Sequence, residues 1–263
     1  MINEILGSAP VFLLIAVRAI ALVETAPILS SESIPQIAKI ALAGFAAFSV
    51  FPTAGEAWQA ASGIETVSTL NFLLMLVGEG IIGITTGFFM TIIFAAFSTA
   101  GQFFSLQMGW SASETFDPLA QVENPILGQF FNLAAMLTFL AVDGLYNLFL
   151  GGFWRSVQSL SMAELIAGRE NVVKMMAGGL TRLFFDAIMI SMPILGTLFL
   201  TTLATGLISK AAPQINMMSE GFPISTAVAF ILILAVTPFL IEGFARVINA
   251  AFETMQDLYI QIS

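Results

Sequence analysis

Between Phe72 and Phe104 the chain carries one charged side chain, Glu79, and is otherwise almost wholly apolar. A run this long exceeds the ~20 residues an α-helix needs to cross the hydrocarbon core of a bilayer. In hydrocarbon every backbone N–H and C=O must be bonded internally, which only helices and closed barrels achieve. The two-residue alternation of a barrel strand is absent here. The run therefore predicts a helix, long enough to tilt or to run past the bilayer.

Other stretches repeat the pattern. Apolar runs at about 9–29, 37–52, 70–100, 126–150, 180–208 and 224–250 predict an all-α, membrane-associated fold with about six long apolar helices. The second run is short for a span. With 58% hydrophobic and 10% charged residues, the chain cannot cover itself with polar surface. It must give apolar surface to lipid, to partner chains, or to both. The N-terminal stretch opens on an acid, Glu4, and Arg18 interrupts its apolar run. It reads as a first helix that stays rather than a cleaved signal.

Composition also removes chemistry. There is no cysteine and no histidine, so thiolates, disulfides, imidazole bases and most transition-metal sites are unavailable. No metal or other cofactor is expected. A formal net charge of −9 argues against binding nucleic acid or anionic lipid through a basic patch. The scattered acids do not form the nucleophile–base set or metal cluster of an intramembrane enzyme.

The joints carry turn chemistry: "SSESIP" (Ser30–Pro35), "FPTAGEAWQAASG" (Phe51–Gly63) and "SKAAPQINMMSEGFP" (Ser209–Pro223). Gly and Pro punctuate each of them. From Gly152 to Leu180, Arg155, Arg169 and Lys174 alternate with spaced apolar residues, which predicts one or two short amphipathic helices at an interface. With alternating spans, Lys39 and Lys210 fall on one side of the membrane and those three bases on the other. The positive-inside rule thus gives no clean orientation.

Charges inside apolar stretches need partners or water, since each costs at least ~2.5–3.5 kcal/mol near a bilayer centre. Glu242 and Arg246, and Arg182 and Asp186, are spaced to pair on one helix face. Arg18 and Glu24 lie on different faces of their helix, and Glu79 has no base in its own stretch. These three are expected to make inter-helix or inter-subunit contacts. Two other readings stand beside that one: Glu79 as a helix-end residue reaching headgroups, or Glu79 and Arg18 as the coupling sites of a small secondary transporter. Gly83 and Gly87 form a GxxxG that permits close helix approach.

Between two of the most apolar runs lies "QMGWSASETFDPLAQVENPILGQF" (Gln107–Phe130), with Glu114, Asp117, Glu123, two prolines and no base. It reads either as a plain solvent loop or as a polar hook folded into a water-filled cavity, the only setting in which irregular backbone is tolerated at membrane depth.

Several segments together resemble one family. "GLISKAAPQINMMSEGFPIS" (Gly206–Ser225) has its Pro213, Gln214, Asn216, Gly221 and Pro223; Gly101–Val157 resembles its central segment; Arg18–Ala43 resembles its start. The family is FliR, with its virulence counterpart SctT, the export-gate proteins of type III secretion. Asp143-Gly144-Leu145 stands where the family often has Asn-Gly-His, and Lys210 where it often has Arg.

The resemblance implies a FliP-like part over 1–175 and a FliQ-like helical hairpin over 176–263. It implies assembly with FliP and FliQ homologues, beside FlhA-like and FlhB-like proteins, into a gate for exported protein substrates. Its place would be the flagellar basal body in the bacterial inner membrane, in contact with lipids, and much of the assembly would be lifted above the bilayer plane. That would explain the failed orientation rule. It also implies that 107–125 is a pore plug, with Met108, Gly109, Trp110, Phe116, Asp117 and Pro118 as its residues, and that the chain catalyses no reaction.

Overall fold

The computed structural model describes residues 2–62, 68–109, 126–159, 168–212 and 221–262. Among them there is no strand. In chain order the helices are α1 (Ile2–Thr25), α2 (Gln36–Ser62), α3 (Thr69–Met108), α4 (Ile126–Ala141), α5 (Gly144–Ser159), α6 (Arg169–Ala211) and α7 (Phe222–Ile262). Four helices are long and apolar enough to cross a membrane among these residues, over Gln36–Thr53, Thr69–Met108, Arg169–Ala211 and Pro223–Ile260. The pair α4–α5 makes a fifth if taken as one span. The remaining apolar stretch, in α1, is also a helix and buries Val11, Leu14, Ile15 and Ala19 completely.

Three sequence expectations shift. Phe51–Ser62 was expected as a joint but is helical, continuing α2 through Pro52. The Thr53 hydroxyl donates to the Val50 carbonyl (2.8 Å) just past the proline. Arg169–Gly179 is no separate amphipathic helix; it is the opening of α6, which runs unbroken to Ala211. And the single apolar run 126–150 breaks by 76° between α4 and α5. The break falls at Asp143, whose φ is 55°. Asp tolerates the left-handed region because its short polar side chain bonds locally. Beyond it, Asn147–Trp154 is π-helical.

The apolar helices accommodate their hydroxyls by bonding them inward. In α6 the hydroxyls of Thr197, Thr201, Thr205 and Ser209 each donate to the carbonyl four residues earlier, all at 3.0 Å. No hydroxyl in this series is left bare in an apolar setting.

Contacts divide the chain into two compact units. Unit 1 comprises Met1–Ile92, Asp143–Gly179 and Asn249–Ser263; unit 2 comprises Ile93–Val142 and Leu180–Ile248. In unit 1, α3 packs against α1 through the glycines. A Cβ on Gly83 would lie 2.8 Å from the Ala21 Cβ, and one on Gly87 would lie 2.9 Å from the Ala26 nitrogen. The close approach lets the Thr91 hydroxyl donate to the Thr25 carbonyl (2.7 Å).

Unit 2 is built on phenylalanines. Phe97 and Phe244 stand 4.7 Å apart, Phe104 and Phe131 4.9 Å, and Phe94 and Phe139 5.4 Å between ring centroids. Such tilted and edge-on pairs are favoured by the ring quadrupoles. Gly101 of α3 sits against α4 so tightly that a Cβ there would fall 2.6 Å from the Gly128 Cα.

Candidate functional site

Arg18, in the middle of α1, is 1% exposed. Its Nε donates to Glu79 Oε2 of α3 at 2.6 Å, and a terminal nitrogen lies 2.5 Å from the same oxygen. Its other terminal nitrogen donates to the Ser156 carbonyl and, at 3.3 Å, to the Ser156 hydroxyl. One guanidinium thus ties α1, α3 and α5 together. A buried charge survives only when paired and hydrogen-bonded in this way.

Glu24 finds a different partner. Gln36 Nε2 donates to its Oε1 (2.5 Å), and Lys39 Nζ lies 3.3 Å from its Oε2 while donating to the Ser30 carbonyl (3.1 Å). These bonds close the turn between α1 and α2. Lys39 is only 6% exposed. A buried, paired lysine is not a free loop charge.

Two polar pairs in unit 1 carried no signal in the sequence. The Thr86 and Tyr259 hydroxyls meet at 3.0 Å, and Arg155 donates to Gln256 Oε1 at 2.9 Å. The Ser156 carbonyl was likewise invisible, because backbone groups have no signature in composition.

In unit 2, Arg182 Nε lies 3.6 Å from Asp186 Oδ2. That oxygen is buried and has no hydrogen bond, as is also true of Asn132 Oδ1. The spacing of Glu242 and Arg246 does not close into an ion pair: the ion pairs among the described residues are those of Arg18, Lys39 and Arg182. Arg246 turns instead toward the Phe239 ring, 6.0 Å from its centroid, an arrangement that serves the cation without a carboxylate.

The central segment is described at its roots. Gly109 has φ 81° and donates its N–H to the Leu106 carbonyl (3.1 Å), ending α3 in the left-handed turn that glycine favours. Met108, one of the plug residues that the resemblance implies, is fully buried. Just before it, Gly101 against Gly128 and Phe104 against Phe131 hold α3 and α4 together. Trp110, Phe116, Asp117 and Pro118 lie outside the described residues, as do Pro213, Gln214 and Asn216. Gly221 is buried, and Pro223 occupies the first turn of α7, where a missing N–H costs nothing.

Long helices that bury Arg18, Lys39 and Glu79 in cross-ties while large apolar side chains such as Phe45, Phe185, Leu200 and Leu234 stay more than half exposed define an α-helical membrane protein with surface reserved for lipid or other helices. The family model described as bacterial export proteins, family 1, matches residues 9–251. The chain belongs to that family, which is the FliR family. It is 29% identical to flagellar biosynthetic protein FliR of Bacillus subtilis (strain 168) over 258 residues, 97% of each chain. Against flagellar biosynthetic protein FliR of Escherichia coli (strain K12) the identity is 30% over 249 residues, 93% of this chain and 91% of the relative. Surface presentation of antigens protein SpaR of Shigella sonnei is 28% identical over 182 residues, covering 69% of this chain and 67% of the relative.

Proposed function

We propose that this chain is a membrane-embedded subunit of the flagellar type III protein export gate. With FliP and FliQ homologues it forms the pore through which unfolded flagellar substrates leave, and its central segment, 107–125, is the plug. It resides in the bacterial inner membrane at the flagellar basal body. It has no catalytic step of its own; export is driven by partners such as FlhA-like and FlhB-like proteins. Residues 1–175 form the FliP-like part and 176–263 the FliQ-like hairpin.

The observation that carries this reading is the end-to-end similarity to FliR, 97% of both chains for the Bacillus subtilis relative. The exposed apolar side chains support it from the physical side, because a gate subunit needs helical neighbours. Coexpression tests it. Alone, the chain should give little monodisperse material in detergent; with FliP-like and FliQ-like chains it should copurify in a multi-chain complex. A long-lived monomer alone, indifferent to those chains, would sink the proposal.

The transporter reading rests on the same buried Arg18 and Glu79. Under the gate reading, neutralising either residue lowers complex yield. Under the transporter reading, assembly stays normal and ion coupling is lost.

A further inference from the structure

Threonines inside apolar helices usually turn their hydroxyls back to a carbonyl of the same helix. In α3 the hydroxyls of Thr86, Thr91 and Thr99 reach the carbonyls four residues earlier, at 3.0, 3.2 and 2.8 Å. Thr85 does not: its hydroxyl makes no hydrogen bond with any described residue. Thr85 is half-buried. With Thr86 it lines a small cavity bounded by Val172 and Met175 of α6 and by Met255 and Tyr259 of α7. All of these residues belong to unit 1. The cavity volume is about 10 Å³, and one water needs about 10–15 Å³ by that measure, with two to four polar partners. Nothing larger than a water fits.

The protons around this cavity can be assigned from the contacts. Thr86 has one hydroxyl proton and gives it to the Ile82 carbonyl at 3.0 Å, since a carbonyl only accepts. At the 3.0 Å contact between the Thr86 and Tyr259 hydroxyls, the proton therefore comes from Tyr259. That leaves the Tyr259 oxygen as an acceptor, on a residue 4% exposed, with no described donor pointing at it. Thr85 is the converse, a hydroxyl whose proton has no acceptor among the described residues. One cavity thus has an idle donor and an idle acceptor on its walls.

From this accounting we infer that the cavity is a site for one structural water, which takes the Thr85 proton and gives one of its own to the Tyr259 oxygen. The hydrogen bonds then run in a single direction, from Thr85 through the water, Tyr259 and Thr86 to the Ile82 carbonyl, and each polarises the next. Thr85 belongs to α3 and Tyr259 to α7, so the water gives the end of α7 a second polar hold on α3 beside the direct bond to Thr86. The site depends on unit 1 alone and not on the export reading.

The test uses the full chain in the assembly in which it is isolated. Thr85→Val replaces the hydroxyl by a methyl group at nearly constant volume. If the hydroxyl holds a water, the unfolding midpoint should fall by about 2–4 °C, the worth of one net hydrogen bond in a chain of this size. Tyr259→Phe should also lower it, and the double variant should lose less than the sum of the two. A direct reading comes from water-edited solid-state NMR with labelled tyrosine, in a Tyr146→Phe background that leaves Tyr259 as the only tyrosine. Magnetisation should pass from water to the Tyr259 ring in that parent and in Thr85→Ser, and fall to background in Thr85→Val. A midpoint that is unchanged or raised in Thr85→Val would overturn the proposal, because a bare hydroxyl in a dry cavity gains from becoming a methyl group. So would strictly additive losses, or transfer to Tyr259 that is absent from the parent or survives in Thr85→Val. If Tyr259→Phe does not fold, the sign of the Thr85→Val shift and the transfer experiment decide without it.

Discussion

Glu79 takes two nitrogens of Arg18 on one carboxylate oxygen, at 2.6 and 2.5 Å, from a position 61 residues further along the chain. Both side chains are nearly inaccessible, at 1% and 4% exposure. Removing one partner of a buried pair leaves the other charge stranded, at a cost of about 3–5 kcal/mol. Glu79→Gln and Arg18→Gln are therefore expected to lower the unfolding midpoint in detergent and the yield of assembled complex. Arg18→Met combined with Glu79→Leu removes both charges and should recover much of the loss. The recovery should be incomplete, because the Ser156 carbonyl loses its donor. Single variants as stable as the parent would show that the pair is not held in this form.

The Glu24 contact predicts the opposite scale. Its carboxylate is 33% exposed, so water can replace part of what it gives the buried Lys39, which also keeps the Ser30 carbonyl. Glu24→Gln should shift the unfolding midpoint little, and far less than Glu79→Gln measured in parallel. A larger shift at Glu24 than at Glu79 would reverse the ranking drawn from burial.

Glycines of two kinds should separate cleanly. At Gly83 and Gly87 a methyl group meets the α1 backbone, and overpacking of this sort costs about 1–3 kcal/mol. At Gly44 and Gly178 nothing lies within 4 Å of the added carbon, and Ala should help a helix by up to ~1 kcal/mol. Thermal denaturation of the four alanine variants checks this. If Gly83→Ala proves as stable as Gly178→Ala, the close α1–α3 contact is not real.

Deleting Trp110–Gln121 leaves Gly109 to end α3 and keeps Gly101 against Gly128 and Phe104 against Phe131. The gate should assemble yet leak ions at rest, seen as increased conductance and a falling membrane potential in cells. An assembled complex with no leak would leave the segment as an ordinary loop.

How much of this was legible in the sequence depends on range. Helices at Phe72–Phe104 and at 224–250 follow from apolar length alone, since hydrocarbon allows little else. The corner at Asp143 was not expected, because the run 126–150 is apolar almost throughout and apolar length alone does not mark a break. The partner of Glu79 was not readable either: Arg18 was one of several bases, and nothing local selects a contact across 61 residues. The Glu242–Arg246 spacing shows the reverse failure. Four residues apart permits a pair on a helix, yet Arg246 took the Phe239 ring, since spacing fixes proximity and not rotamer. The burial of Met108 was not readable from its place beside Trp110.

The threading of the two units has a consequence for synthesis. Unit 1 takes its segments from Met1–Ile92, Asp143–Gly179 and Asn249–Ser263, with unit 2 interposed between them. Ala251, Phe252, Met255, Leu258 and Tyr259, all buried, are translated after the rest of that core, Arg18, Glu79 and Ser156 among them. A nascent chain therefore holds its cross-tie in hand while one wall of the core is still on the ribosome. Thr86 waits for the Tyr259 hydroxyl through the making of all of unit 2, and during that interval a chaperone or a neighbouring subunit has access to a surface that the finished protein closes.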